Sequence, residues 1–202
     1  MINENASIEH ISVGYMQVGV SALSVLTDNY FFGGSSEDLM TVRKYNFCPI
    51  LRKDFILEEY QVIESKSIGA DVILLIATIL KPKKLKQLCL LAHSLDMEVL
   101  MEVHDEREIE ENVAGGADLI GVNNRNLQTF EVSLETSKRL AKLIPETAIK
   151  ISESGITAPI DVLELKRYGY IGYLVGEAFM QDSRPEQAAD RFIKEMKQLN
   201  LI

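Results

Sequence analysis

The sequence is poor in cysteine and lacks long apolar runs. Two cysteines, Cys48 and Cys89, are too few for a disulfide scaffold, and they lack the spacing of metal ligands. We therefore predict two reduced core thiols. The longest apolar stretch, residues 72–80, is too short to cross a bilayer. The first ten residues show neither the basic nor the apolar segment of a signal peptide. We therefore expect a cytoplasmic protein.

Positive charge is also scarce. The chain has 21 Lys and Arg against 30 Asp and Glu, a formal net charge of −9. Such a chain is repelled by nucleic acid and by anionic membranes, and no basic stripe with interleaved aromatic residues offsets this. We expect no nucleic-acid partner and no membrane partner. A small anionic substrate remains compatible, because a few local donors suffice to bind it.

Short apolar runs alternate with stretches of helical period along the whole chain. With 202 residues, 47% of them hydrophobic, the chain fits one domain, residues 1–202. The apolar runs are typical of strands buried on both faces of a parallel sheet. Predicted strands are 22–27, 49–52, 72–76, 98–103, 119–122, 148–152 and 172–175. Predicted helices are 8–18, 35–44, 58–68, 82–95, 106–114, 133–143, 158–168, 177–180 and 185–199.

This alternation allows an open doubly wound sheet or a closed barrel. The open dinucleotide-binding type is disfavoured because neither GxGxxG nor GxxxxGK[ST] occurs. We therefore predict a TIM (β/α)8-type barrel of the α/β class. Such a barrel needs eight strands, and only seven are predicted. The first helix, 8–18, leads directly into the strand at 22–27, so the barrel is expected to be incomplete at its first strand.

Polar residues stand at the carboxyl ends of several predicted strands, where barrels of this type carry their active sites. Lys53 follows one strand, Glu102 lies near the end of another, and Asn123 and Glu153 follow two more. Charges are costly at such partly buried places unless they are paired or used. One ammonium, two carboxylates and an amide around one ring suit acid–base chemistry on a small molecule.

Small residues follow the last two predicted strands. Ser154 and Gly155 end one strand, and Gly176 precedes a short helix that begins at Glu177. Backbone N–H groups could approach a phosphate there, as is common at this end of the fold. The same glycines could also be turn residues alone.

Several segments stand in the order and spacing of one enzyme family. They include PILRKDFI at 49–56, MEVLMEVHDE at 97–106, IGVNNRNLQTFEV at 120–132, SESGI at 152–156 and LVGEAFM at 174–180. On these motifs the chain resembles the indole-3-glycerol phosphate synthases. The resemblance implies a carboxy-lyase of tryptophan biosynthesis with no cofactor and no metal. Its phosphorylated small-molecule substrate would be 1-(2-carboxyphenylamino)-1-deoxyribulose 5-phosphate, converted by ring closure, decarboxylation and dehydration.

The resemblance also implies residue roles. Lys53 matches the lysine that polarises or protonates the substrate carbonyl. Glu102 matches the carboxylate that serves as base in the dehydration or holds this lysine. Asn123 would bind a substrate hydroxyl, and Glu153 would complete the catalytic set. The substrate-binding positions are Phe55 and Leu127 for the aromatic ring, Arg125 for orienting carboxylates, and Ser154, Gly155, Gly176 and Glu177 around the phosphate. His104, near the rim, is expected to have a solvated or supporting role.

One part of the family pattern is not found. The family's first strand carries E-x-K-x-x-S-P-S, whereas residues 1–5 resemble the stretch just after it and the first lysine is Lys44. We therefore expect an N-terminally truncated barrel without turnover. One alternative is a non-catalytic remnant, a mis-called gene start or a shortened chain, with open strand edges that favour self-association. A weaker alternative is another phosphate-binding barrel such as phosphoribosylanthranilate isomerase. That enzyme would use a Cys/Asp acid–base pair at the strand ends, whereas Cys48 precedes its predicted strand.

Overall fold

The computed structural model describes residues 7–201, so the comparison made above for residues 1–5 lies outside the described residues. Strands and helices alternate along the chain, as predicted. The strands are β1 Leu23–Leu26, β2 Ile50–Lys53, β3 Val72–Ile76, β4 Glu98–Val103, β5 Leu119–Asn123, β6 Ile149–Glu153 and β7 Gly172–Leu174. The helices are α1 Ile8–Gln17, α2 Asn29–Phe32, α3 Ser36–Tyr45, α4 Glu59–Ser67, α5 Pro82–Ser94, α6 Glu106–Asn112, α7 Glu135–Leu140, α8 Pro159–Lys166, α9 Glu177–Met180 and α10 Pro185–Gln198.

The strands form one parallel sheet in the order β1 to β7. Each strand pairs with its sequence neighbours, which is the arrangement of a (β/α) barrel. An eight-stranded barrel closes on itself, whereas within residues 7–201 β1 and β7 are the two edges of a nearly closed, seven-stranded sheet. The prediction of an incomplete TIM-type barrel is confirmed. Every helix in the described part of the chain is too short or too polar to span a bilayer.

Apolar side chains fill both sides of the sheet. Because successive residues of a strand point to opposite faces, one set faces the helices and the other faces the barrel interior. The larger core lies between sheet and helices. The smaller, interior core consists of Leu51, Leu74, Ile76, Leu100 and Ile151.

A Gly-Ala-Asp repeat stands at residues 69–71 and 116–118, and its aspartates hold strand starts together at the amino end of the barrel. Asp71, just before β3, accepts a hydrogen bond of 2.8 Å from the backbone N–H of Ile50 at the start of β2, and it also pairs with Arg43. Asp118, just before β5, accepts 2.8 Å from the N–H of Val99 in β4. Each carboxylate therefore ties its own strand to the start of the neighbouring strand.

Three local features differ from the sequence-based expectation. The turn of helix α2, Asn29–Phe32, was not predicted; Asp28 caps it by accepting 2.5 Å from the N–H of Phe31. Its four residues are too few for a periodic pattern. Helix α7 is shorter than the predicted 133–143, and a 3-10 turn, Val113–Gly115, ends the helix predicted at 106–114.

Replacing Asp71 by alanine should destabilise the barrel. The substitution leaves the N–H of Ile50 without its acceptor and removes the partner of Arg43, and a charged hydrogen bond of this kind contributes about 1.5–3 kcal/mol. Urea unfolding would show a lower midpoint with an unchanged slope. Glu110→Ala, at an exposed site on α6, is the control and should leave the midpoint unchanged. Equal midpoints for wild type and Asp71→Ala would contradict this role.

Candidate active site

The carboxyl end of the sheet brings the four predicted catalytic residues together inside the barrel. The strands β2, β5 and β6 end at Lys53, Asn123 and Glu153, and Glu102 lies in β4. Each of these three strands therefore ends one residue later than predicted. The two-residue period of a strand explains their direction. Lys53, Glu102 and Glu153 each come two residues after an apolar side chain of the interior core.

Lys53 lies between two buried carboxylates. Its Nζ donates 3.0 Å to Oε2 of Glu102 and 2.7 Å to Oε2 of Glu153. Asn123 donates 3.1 Å from Nδ2 to the other oxygen of Glu102. Burial alone would lower the pKa of Lys53, but the charges of Glu153 and Glu102 outweigh it and raise the pKa above its usual value. Lys53 is therefore an ammonium group at neutral pH.

The two carboxyl groups have different environments. Burial opposes ionisation of Glu102, but Lys53, His104 and Asn123 outweigh it and lower the pKa of Glu102 below its usual range. For Glu153, burial dominates over the attraction of Lys53, and the neighbouring Glu102 adds to it, so its pKa is raised to about 7. Near neutral pH, Glu102 is an ionised carboxylate and Glu153 exchanges a proton. Two such groups can act as base and acid in one site.

Gly121 makes the space for Glu153. A Cβ atom at Gly121 would lie 2.1 Å from Oε1 of Glu153 and 3.1 Å from Leu100. Oε1 is buried and has no hydrogen-bond partner in the described part of the chain. The carboxyl group thus fills the volume that a side chain on β5 would take. Sequence reasoning passed over Gly121, although a glycine within an apolar strand indicates a close approach.

The residues on either side of Lys53 fix its position from the outer face of the sheet. Arg52 and Asp54 are buried and paired, with 3.0 Å between Nη2 and Oδ2. Asp54 also accepts 2.6 Å from the hydroxyl of Thr27, which follows β1. Since alternate residues point to opposite faces, this cluster holds β1 and β2 while Lys53 faces inward.

Ser154 and Gly155 form a tight turn directly after β6. Both have left-handed backbones, with φ of 66° and 74°. A Cβ atom at Gly155 would lie 2.5 Å from Val132, so this position requires glycine. Asn124 is buried beneath the turn and donates 3.1 Å from Nδ2 to the carbonyl of Ser154. Asn124 therefore ties this turn to β5.

Arg125 and Glu177 meet at the mouth of the barrel. Their side chains form an ion pair of 2.8 Å, which joins the loop after β5 to the start of α9. Gly176 precedes this helix as its N-cap residue. A cavity of about 360 Å³ opens beside them, lined in part by Asn123, Arg125, Leu127 and His104. The predicted binding residues Arg125, Leu127, Gly176 and Glu177 thus lie at the mouth, outside the hydrogen-bonded interior group.

Aromatic rings stand on the β1–β2 side of the mouth. The ring of Phe55 stacks on Phe32 and meets Phe31 edge-on, each with ring centroids 5.3 Å apart. Phe31 and Phe32 lie on α2 and are largely exposed. Sequence reasoning named Phe55 but missed the other two; the signal was the motif FFGGS, which follows Asp28 and Asn29 closely.

His104 is the charged group that sequence reasoning underestimated. Its Nε2 lies 3.2 Å from Oε1 of Glu102, an ion-pair contact without hydrogen-bond alignment, and the ring is mostly buried. Burial lowers the pKa of His104, but Glu102 and Glu108 outweigh this effect and raise it to about 9. The signal in the sequence was the spacing of two residues from Glu102, which indicates the same face.

Comparison with known proteins identifies the family. The family model for indole-3-glycerol phosphate synthase matches residues 1–192. The chain belongs to the indole-3-glycerol phosphate synthase family. It is 45% identical over 193 residues to that enzyme of Bacteroides thetaiotaomicron, covering 96% of this chain and 74% of the relative. It is 43% identical over 197 residues to that of Caldanaerobacter subterraneus subsp. tengcongensis, covering 98% of this chain and 76% of the relative.

Solved structures of lower identity support the fold of this synthase family member. An N-acetylmannosamine-6-phosphate 2-epimerase from Clostridium perfringens has a TM-score of 0.72 at 19% identity and covers 96% of this chain and 88% of its own. A thiamine phosphate pyrophosphorylase from Pyrococcus furiosus has the same score at 15% identity, with 96% and 91% covered. At these identities the likeness shows a shared barrel fold alone.

Gly121→Ala should displace Glu153 and destabilise the protein. Overpacking of a filled interior costs about 1–3 kcal/mol. The substitution should cost clearly less in a Glu153→Ala background, because the oxygen that it meets is then absent. Urea unfolding of the four proteins in this double-mutant cycle measures the coupling. Additive effects of the two substitutions would contradict the proposed contact.

The titration of Glu153 should make stability fall with rising pH. Its folded-state pKa of about 7 lies above the usual 4.5 of a glutamate, so between these values the folded state holds a proton that the unfolded state has lost. The carboxyl group therefore costs stability progressively from pH 4.5 through pH 7. Glu153→Gln removes this titration, so the difference in unfolding free energy between variant and wild type should shift in favour of the variant across that window. A difference independent of pH would contradict it.

Proposed function

We propose that the interior residues carry out the acid–base steps of indole-3-glycerol phosphate formation. The observation that carries the proposal is the Lys53 ammonium held between two carboxyl groups of different pKa. The substrate would be 1-(2-carboxyphenylamino)-1-deoxyribulose 5-phosphate. Its ring carbon attacks the ketone carbon, carbon dioxide leaves, and the new hydroxyl departs as water. Written from the substrate carboxylate, this reaction consumes one proton.

Lys53 is the group placed to act on the ketone oxygen. Its ammonium can donate a proton to that oxygen as the ring closes, which makes the hydroxyl, and a second proton to the hydroxyl when it leaves as water. Glu153 lies 2.7 Å from the same nitrogen and holds a proton near neutral pH, so it can return the proton that Lys53 gives up. This pair would supply two protons to the oxygen, and Glu102 would accept one from the ring-closed intermediate, so that the reaction consumes one proton in balance.

Glu102 is the group placed to act as base. It is ionised, buried, and held by Lys53 and Asn123, so its position is fixed before the substrate enters. In the dehydration it would accept the proton that the ring-closed intermediate loses as the indole forms. Asn123 keeps its carbonyl oxygen on the N–H of Arg125, which leaves its amide directed at Glu102 and at a substrate hydroxyl.

The mouth residues would bind the rest of the substrate. Phe55 and Leu127 would flank the aromatic ring, with Phe31 and Phe32 extending the apolar wall on the β1 side. Arg125, already paired with Glu177, would orient carboxylates. The phosphate would lie against the backbone at Ser154, Gly155, Gly176 and Glu177, of which the first two offer a left-handed turn.

Charge balance bears on the activity of the 202-residue chain. Within residues 7–201, Lys53 is already engaged by two carboxyl groups and Arg125 by Glu177. The substrate brings a carboxylate and a phosphate, and binding both requires further positive charge. A strand of the type E-x-K-x-x-S-P-S, as the family resemblance implies, would supply a second lysine. We therefore expect no measurable turnover from the 202-residue chain alone.

The alternatives differ in what they require. The isomerase alternative needs a thiol at a strand end, but Cys48 is buried before β2, at the opposite end from Lys53. A non-catalytic role remains the alternative outcome of the assay below. We also propose a cytoplasmic location and self-association through the edges of β1 and β7, because exposed strand edges pair readily.

The test is an indole-fluorescence assay of turnover. The chain has no tryptophan, so the indole product is read without protein background. We expect product from the 202-residue chain only after an E-x-K-x-x-S-P-S strand is added at its N-terminus. In that extended protein, Lys53→Ala and Glu102→Gln should each lower kcat about 100- to 10,000-fold, the usual contribution of an acid or base.

Lys44→Ala is the matched control for the lysine, since Lys44 lies at the end of α3 and should leave kcat unchanged. Turnover by the 202-residue chain that both substitutions abolish would show that the added strand is dispensable. Failure of the extended, folded protein to turn over would contradict the proposed function and favour a non-catalytic role.

A further inference from the structure

One hydrogen bond and one charge contact together place a proton on each ring nitrogen of His104. The hydroxyl of Thr78 donates 2.5 Å to Oε1 of Glu108, so its oxygen is free to accept at 3.1 Å from Nδ1 of His104. Nδ1 must therefore carry hydrogen. Nε2 faces Oε1 of Glu102 at 3.2 Å. Within residues 7–201 this contact is not an aligned hydrogen bond, but without a proton the lone pair of Nε2 would face the ionised carboxylate of Glu102, so the charge contact favours hydrogen on Nε2 as well.

Glu108 anchors the other side of this ring. Its Oε2 accepts 2.7 Å from the backbone N–H of His104 and lies 3.4 Å from Nδ1. Its own N–H is capped by Asp105, so the carboxylate is fixed at the start of α6. The imidazolium thus sits between a carboxylate of the interior and a carboxylate of the rim.

We propose that His104 is a positioning residue, whose doubly protonated ring bridges Glu102 in the barrel to Glu108 at the rim and holds Glu102 in its ionised form. This inference rests on the proposed role of Glu102 as base. Glu102 then has a cation or amide donor on three sides, from Lys53, His104 and Asn123, whereas among residues 7–201 Glu153 has Lys53 alone. The bridge therefore helps to decide which carboxyl group is the base and which holds the proton.

The helices, strands and loops around the His104 ring carry further charged groups. Asp105 and Arg139 line the same cavity as His104, and Arg139 is paired with Glu106 at 3.0 Å. Arg125, also on this cavity, is paired with Glu177. Lys53 lies beyond Glu102. In the described part of the chain the carboxylates in direct contact with the ring are Glu102 and Glu108, so these two should govern its titration.

The test measures the titration of His104 by NMR of the imidazole resonances, assigned by their loss in His104→Gln. The midpoint should lie near pH 9 in the wild-type chain. Coupling between two sites is reciprocal: if the imidazolium stabilises ionised Glu102, then ionised Glu102 must stabilise the imidazolium by the same amount. Glu102→Gln and Glu108→Gln should each lower the midpoint by about one unit or more. Glu106→Gln, which removes a neighbouring charge that does not touch the ring, should shift it far less.

These measurements need no turnover, so they separate the inference from the proposed function. A midpoint near 6.5, or a midpoint insensitive to Glu102→Gln, would overturn the bridge even if the enzyme is active. In the form of the protein that turns over, His104→Gln should lower kcat about tenfold with KM changed less than twofold, and Glu106→Gln should change neither. A His104→Gln variant with normal kcat and an unchanged pH profile of kcat would overturn the positioning role.

Discussion

The interior of this barrel depends on the placement of one ammonium group between two buried carboxyl groups. Leaving any of the three without its partners would expose an uncompensated charge to an apolar surrounding, at a cost of about 3–5 kcal/mol. Lys53 can occupy its position only because Glu102 and Glu153 come from strands on the other side of the interior. The site is therefore a product of barrel curvature, since β2 and β6 are not neighbours in the sheet.

The two carboxyl groups show how the same side chain acquires different chemistry from its surroundings. Glu102 is surrounded by donors, whereas Glu153 has one oxygen on Lys53 and the other against the backbone of Gly121. Desolvation therefore sets the direction of the pKa shift of Glu153, whereas hydrogen bonds and neighbouring charges set that of Glu102. A site that performs both proton donation and proton removal needs such a difference, and here the strand neighbours create it.

The sequence predicted the elements that follow from hydrophobic periodicity. It did not predict contacts between side chains that are distant in the sequence. All seven strands and the interior direction of Lys53, Glu102, Asn123 and Glu153 could be predicted, because the two-residue period and the strand-end positions are properties of local sequence. The family resemblance added roles for these residues, which the geometry supports without testing them. Helix α2 was missed because four residues carry no helical period. The contacts of Gly121 with Glu153 and of Asn124 with Ser154 join different strands or loops, so no local pattern identifies the two partners.

The carboxylates of the Gly-Ala-Asp repeat lie at the opposite end of the barrel from the acid–base group. Asp71 and Asp118 close strand pairs at the amino ends, while the mouth carries Lys53 and the loops around Arg125. Rigidity and reactivity are thus assigned to separate rims of the same strands. Loops at the mouth could therefore be redesigned for a new substrate without altering the aspartate hydrogen bonds at the amino ends of the strands.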